Sequence, residues 1–136
     1  MTAERRPVRG PYLLLDTCVA LWWFAGDMEQ LGTSGVTAIT EAEEIHISAA
    51  TVWEIEIKRA LGKLEAPDDI NDMIIASGFY ALGISAEHAL TAARLPPHHS
   101  DPFDRMLVAQ AITEKMTLVT ADKRIAAYPA QVLSLS

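Results

Sequence analysis

Tyr12-Leu13-Leu14-Leu15-Asp16-Thr17 sets three consecutive leucines in front of an acid and a threonine. A strand with one face in water alternates apolar and polar residues, whereas a strand covered on both faces reads as an unbroken apolar run. The run therefore predicts a parallel strand ending at Asp16. Four further short runs rich in Ile, Leu, Val, Tyr or Phe read as strands: Glu44 to Ser48, Phe79 to Ile84, Thr117 to Thr120 and Val132 to Leu135. Helical spacing fills the gaps, at Val19 to Phe24, Ser34 to Glu43, Thr51 to Leu64, Asp68 to Ala76, Ala86 to Arg94 and Pro102 to Lys115. Strands separated by helices predict an α/β fold, with a mainly parallel central sheet of about five short strands flanked by helices in three α/β/α layers. One segment, Trp53-Glu54-Ile55-Glu56-Ile57, alternates like a strand. The longer window favours a helix, because Trp53, Ile57, Ala60, Leu61 and Leu64 recur at helical spacing and form one apolar stripe over three turns, with Gly62 its weak point.

The 136 residues suit a single domain, 1–136, with residues 1–10 expected to be a flexible N-terminal extension. Half of the residues are apolar and 21% charged, which excludes a disordered or solvating chain. No apolar run approaches the roughly 18 residues of a membrane span. Arg5, Arg6 and Arg9 precede no apolar leader, so the expected location is the cytoplasm, with no membrane partner. The one cysteine, Cys18, excludes an internal disulfide framework and a cysteine-rich zinc site, and its apolar neighbours predict a small core residue. No GxxxxGK[ST] sequence is present, which argues against a nucleotide-hydrolysing motor. A net charge of −7 opposes binding to nucleic acid.

Four acids stand where a strand ends or the next helix begins: Asp16, Glu54, Asp104 and Asp122. Each has a capping explanation. Thr51-Val52-Trp53-Glu54 fits a capping box, and Asp101-Pro102-Phe103-Asp104 places an N-cap acid before a proline at the first helical position. In a parallel sheet, however, the carboxyl ends of the strands share one edge, where open α/β folds bind ligands. Converging carboxylates repel one another unless a cation neutralises them. An all-oxygen donor set favours Mg²⁺ or Mn²⁺ over zinc. Val108 and Ala111 follow Asp104 at i+4 and i+7 and place it beside a buried stripe, where an acid with no task would be out of place.

Basic residues cluster by the same acids: Lys58 and Arg59 after Glu54, Arg105 after Asp104, and Lys123 with Arg124 after Asp122. Neutralising the four acids by metal removes most of the negative excess, so a phosphate substrate is no longer forbidden. Ordinary pairing, such as Glu54 with Lys58, is the competing explanation for these bases.

These stretches resemble the PIN-domain family, specifically the VapC-type toxin ribonucleases of toxin–antitoxin pairs. Leu13-Leu14-Leu15-Asp16-Thr17 is similar to the family's opening strand with its first metal-binding aspartate, and Ser48-Ala49-Ala50-Thr51-Val52-Trp53-Glu54 to its second motif. Asp101-Pro102-Phe103-Asp104-Arg105-Met106-Leu107-Val108-Ala109-Gln110-Ala111 resembles the third and Thr117-Leu118-Val119-Thr120-Ala121-Asp122 the fourth. The four motifs occur in the expected order along nearly the whole chain. The resemblance implies a metal-dependent endoribonuclease in which Asp16, Glu54 and Asp104 are the main metal ligands and Asp122 completes the site directly or through water. Asp101 is left as a cap or outer acid, Thr17 and Thr120 as partners of a carboxylate or water, and Lys58, Arg105, Lys123 and Arg124 as RNA phosphate contacts. It also implies a VapB-type antitoxin masking the cleft, and a homodimer.

His99 lies where relatives often show histidine, but a loop histidine after Pro96-Pro97 reads as solvated. With His98 it stands in reserve for a metal-independent mechanism. A haloacid-dehalogenase-like phosphohydrolase would need an acid two residues after Asp16, where Cys18 stands. A non-catalytic PIN-like scaffold is the other alternative. Trp22 and Trp23 point about 100° apart on a helix, so both fit one core stripe only if the buried face is wide; otherwise one lies at an interface. The amphipathic stretch Asp68 to Ala76 reads as core, dimer surface or antitoxin surface.

Overall fold

The computed structural model describes residues 12–135; the expected N-terminal extension, residues 1–10, lies outside them. Strands β1 (Tyr12–Leu15), β2 (Glu44–Ser48), β3 (Tyr80–Leu82), β4 (Thr117–Thr120) and β5 (Val132–Ser134) form one sheet in the order β3-β2-β1-β4-β5. Every pairing is parallel, with Leu14 opposite His46 on one side and Leu118 on the other. The helices are α1 (Thr17–Ala25), α2 (Met28–Glu41), α3 (Ala49–Ala60), α4 (Ile70–Ala76), α5 (Ala86–Arg94) and α6 (Pro102–Glu114), and a single 3₁₀ turn spans Ile125–Ala127. Among the described residues, no helix is long and apolar enough to cross a membrane.

The unbroken leucine run of β1 is explained by its two covered faces. Leu13 and Leu15 enter a core with Ile47, Val119 and residues of α1 to α4, including Val19, Ile39, Ile55 and Ile74. Leu14 points the opposite way, with Leu118, into a second core formed by Leu107, Val108 and Ala111 of α6 together with Ile125 and Tyr128. All three leucines are essentially inaccessible to solvent, each burial contributing about 1.5–3 kcal/mol. α5 packs on α6 outside this second core.

The chain leaves β1 for β2 on one side and returns to β4 on the other. The connections carry helices to opposite faces, which opens a crevice at the carboxyl ends of β1 and β4.

The starts of α2 and α3 depart from expectation in ways that bear on the caps. α2 begins at Met28, ahead of Ser34, with Asp27 accepting from Gln30 N–H, and is interrupted at Gly32, whose φ of 70° lies in the left-handed region open to glycine. α3 begins at Ala49 with Ser48 as its cap, Oγ accepting from Ala50 N–H at 3.0 Å. Thr51 and Glu54 therefore sit inside the helix, and the expected capping box does not form.

The apolar stripe of α3 turns outward at Trp53, 61% exposed, and at Leu61, 62% exposed, while Ala50, Thr51, Glu54 and Ile55 are buried. Periodicity identified a helix but not which side meets the core. Trp53 instead packs edge-on against Phe103 of α6, with ring centroids 5.3 Å apart. On α1, Trp23 and Phe24 both lie against Phe79, so the partly buried face is wide. In the Asp68 to Ala76 stretch, Ile70 and Ile74 belong to the core and Ile75 faces outward.

Candidate metal centre

Asp16 follows β1 directly and caps α1, with Oδ1 accepting from Val19 N–H at 2.9 Å. Its other oxygen takes a short hydrogen bond from the Thr120 hydroxyl at the end of β4. The same hydroxyl accepts from Asp122 N–H at 3.0 Å, so Thr120 joins two of the acids through one buried atom. Glu54, one turn and a half into α3, is also buried. Thr17 Oγ1 donates to its Oε1 at 2.6 Å and Lys58 Nζ to its Oε2 at 2.7 Å.

α6 brings the third acid. Asp101 caps this helix, accepting from Phe103 N–H at 2.8 Å and from Asp104 N–H at 3.4 Å, with Pro102 in the first turn. Asp104 then faces the crevice. Asp122 comes from the loop after β4. Asp16, Thr17, Glu54, Lys58, Asp101, Asp104 and Asp122 thus line one cleft of about 310 Å³, joined by Cys18, Trp22 and Ala121.

The electrostatics of the cleft indicate an excess of negative charge. Burial raises the pKa of Asp16, with hydrogen bonds from Thr120 and Val19 opposing and the charges of Asp122 and Glu54 adding to the rise. Burial, then repulsion from Asp101, lifts Asp104 to about 6. Asp122 goes the other way, to about 2, because the Arg124 guanidinium and backbone N–H hold its charged form. Oxygen donors gathered from β1, α3, α6 and the β4 loop, two of them pushed toward protonation, fit a bound divalent cation. In addition, one atom each from His99, Asp104 and Asp122 lie within 4.8 Å of one another.

A PIN domain model matches residues 13–131. The chain belongs to the PIN domain family. Ribonuclease VapC22 of Mycobacterium tuberculosis is 30% identical over 116 residues, a match spanning 83% of this chain and 88% of that protein. The PIN fold is also shared with VapBC2 from Rickettsia felis, solved bound to a DNA fragment from its promoter. That structure superposes with a TM-score of 0.68 at 16% identity, over 92% of this chain and 99% of that one. FitAcB from Neisseria gonorrhoeae superposes with a TM-score of 0.63 at 20% identity, over 90% and 96% of the two chains.

Within this PIN fold some expected site residues take other places. Arg105, expected on RNA phosphate, is engaged with the α5–α6 loop. Nη1 donates to the carbonyls of Pro96 and His99, Nη2 to those of Ala92 and Leu95, and the residue is not among those lining the cleft. Arg124 is paired with Asp122, and Lys58 with Glu54. Lys123 is exposed outside the cleft.

Cys18 is exposed at the cleft rather than in the core, because Asp16 caps α1 and leaves the second residue of that helix at the crevice mouth. Partial shielding from water by the cleft walls, followed by the nearby Asp16 charge, pushes its thiol pKa up. His99, read as solvated, is buried among the acids. Its position two residues before the α6 cap was the available signal, since a side chain there can fold back over the first turn.

Proposed function

We propose that this chain is a divalent-cation-dependent endoribonuclease, the toxin of a toxin–antitoxin pair, with residues 1–136 acting as one PIN-like domain. The observation that carries the reading is the meeting of Asp16, Glu54, Asp104 and Asp122 in one cleft, on a chain 30% identical to a named ribonuclease. Asp16, Glu54 and Asp104 would hold Mg²⁺ or Mn²⁺, and Asp122 would complete the site. When bound, the cation supplies an activated water and neutralises charge on the phosphodiester oxygens.

The protein's own groups orient the carboxylates. Val19 N–H and Thr120 fix both oxygens of Asp16, and Thr17 and Lys58 fix both oxygens of Glu54, so these side chains need no rearrangement on loading. The acidic cleft suits masking by a basic segment of a VapB-type antitoxin, in keeping with neighbours solved as toxin–antitoxin complexes. The outward Trp53 and Leu61 offer apolar surface for a homodimer or for the antitoxin.

Purified wild type is expected to cleave RNA with Mg²⁺ or Mn²⁺, to stop in EDTA and to resume when metal is restored. Asp16→Asn should keep the fold by circular dichroism and lose at least a hundredfold in cleavage, roughly the cost of removing one charge-stabilising group. Full activity in the variant, or in exhaustively chelated enzyme, would refute the assignment and favour a mechanism without metal. RNA end sequencing after brief expression of wild type and variant would then locate the cut.

A further inference from the structure

His99 is 6% exposed, and every polar atom of it is engaged. Asp101 N–H donates to Nδ1 at 3.1 Å, so this nitrogen is an acceptor and the ring proton sits on Nε2. Nε2 lies 2.9 Å from Asp122 Oδ2 and 3.0 Å from Asp104 Oδ2. The backbone of the same residue is pinned too: its N–H donates to the Tyr128 hydroxyl at 2.9 Å, and its carbonyl accepts from Arg105 Nη1 at 3.3 Å. Arg105 reaches that hydroxyl as well.

We propose that His99 is a positioning residue of the metal centre and not one of its ligands. Its Nε2–H bonds to Asp122, and the same nitrogen lies against Asp104 Oδ2, so the imidazole stands between two acids from different elements and sets the separation of their carboxylates. To ligate a cation, Nε2 would have to give up its proton to Nδ1. Two N–H groups would then face each other at Asp101, leaving a buried backbone donor without an acceptor. The bridge engages only Oδ2 of Asp104, whereas Asp122 receives Arg124 on both oxygens. The arrangement therefore presents Asp104 to the cation and keeps Asp122 as an outer carboxylate. Arg105 and Tyr128 act behind it, holding the loop that carries the imidazole.

The inference rests on the metal-dependent reading above, and the test separates the two. Full-length wild type, His99→Ala, His99→Gln and Asp16→Asn are titrated with Mn²⁺ and with Mg²⁺ by calorimetry, with thermal midpoints as a folding control. A glutamine amide can return a donor near Nε2. His99→Ala is expected to weaken cation binding at least tenfold, and His99→Gln to stay within about threefold of wild type. Ring ¹⁵N shifts of wild type should show the Nε2–H tautomer both without metal and with saturating Mg²⁺. Wild-type affinity in His99→Ala, a loss in His99→Gln as large as in His99→Ala, or transfer of the proton to Nδ1 on adding Mg²⁺ would each overturn the positioning role. If wild type binds no cation, the metal-dependent reading falls with it. If wild type binds, Asp16→Asn does not and His99→Ala is unaffected, the positioning role alone fails.

Discussion

Arg105 stands next to Asp104 in the chain, yet its guanidinium meets carbonyls of Ala92, Leu95, Pro96 and His99. A planar five-donor group can satisfy several carbonyls of one loop at once, which a lysine ammonium cannot do in the same geometry. Arg105→Lys keeps the positive charge and so distinguishes the two roles. As a loop clamp, the position should lose about 1.5–3 kcal/mol in urea denaturation, the range for hydrogen bonds to a charged donor. Arg105→Gln removes the charge, and its RNA affinity in the Asp16→Asn background should keep the salt slope; a slope reduced by about one would instead indicate a phosphate contact. Sequence adjacency could not foresee this, because residues one apart on a helix diverge by about 100°. His99 was misread for the complementary reason. Its partners, Asp104, Asp122 and Tyr128, lie 5 to 29 positions away, and a loop histidine gives no sign of being covered.

α6 illustrates what an element makes legible. Its start was readable in full, since Asp101, Pro102 and Asp104 each have a local reason to stand where they do, and the cap bonds form as expected. Its end is less comfortable: Lys115 closes the helix at φ 58°, a left-handed conformation that side chains with a Cβ adopt at a cost. Lys115→Gly is expected to stabilise the fold by about 1 kcal/mol, seen as a higher urea midpoint with an unchanged slope; no gain would mean that the Lys115 side chain holds the turn. The strands were legible because double burial leaves apolar runs such as Leu13 to Leu15. The facing of α3 was not, since Trp53, Ile57 and Leu61 make as regular a stripe as any core-facing set, and only the packed sheet shows that Ile55 points inward. Parallel topology makes the meeting of Asp16 and Asp122 legible, since they follow neighbouring strands β1 and β4, whereas Glu54 and Asp104 reach the cleft from within α3 and α6 through helix packing.

Over the whole molecule, the concentrated acids couple stability to pH and metal. Asp104 holds its proton to about 6 in the folded chain, against an ordinary value of 3.8. Between these values the folded state binds a proton that the unfolded state has released, so this group's contribution to stability falls as pH rises through the window. Asp16 acts in the same direction. Asp122, lowered to about 2, contributes stability above 3.8 that disappears as pH falls toward 2, outside that window. Metal-free protein should therefore lose thermal stability from pH 5 to pH 7, and saturating Mg²⁺ should raise the melting temperature more at pH 7 than at pH 5. Scanning calorimetry checks both, and an equal metal effect at the two pH values would argue against Asp104 as a ligand. The bond between Thr120 and Asp16 has a further consequence, because it spans 104 positions. At about 5–20 residues per second, a ribosome needs roughly 5 to 20 seconds to travel from one to the other. Throughout that interval the nascent polypeptide has its first strand without β4 beside it and only part of its carboxylate set. The acidic cleft is thus incomplete on the ribosome until β4 and its loop have been made, and closing it is a late event relative to the birth of β1.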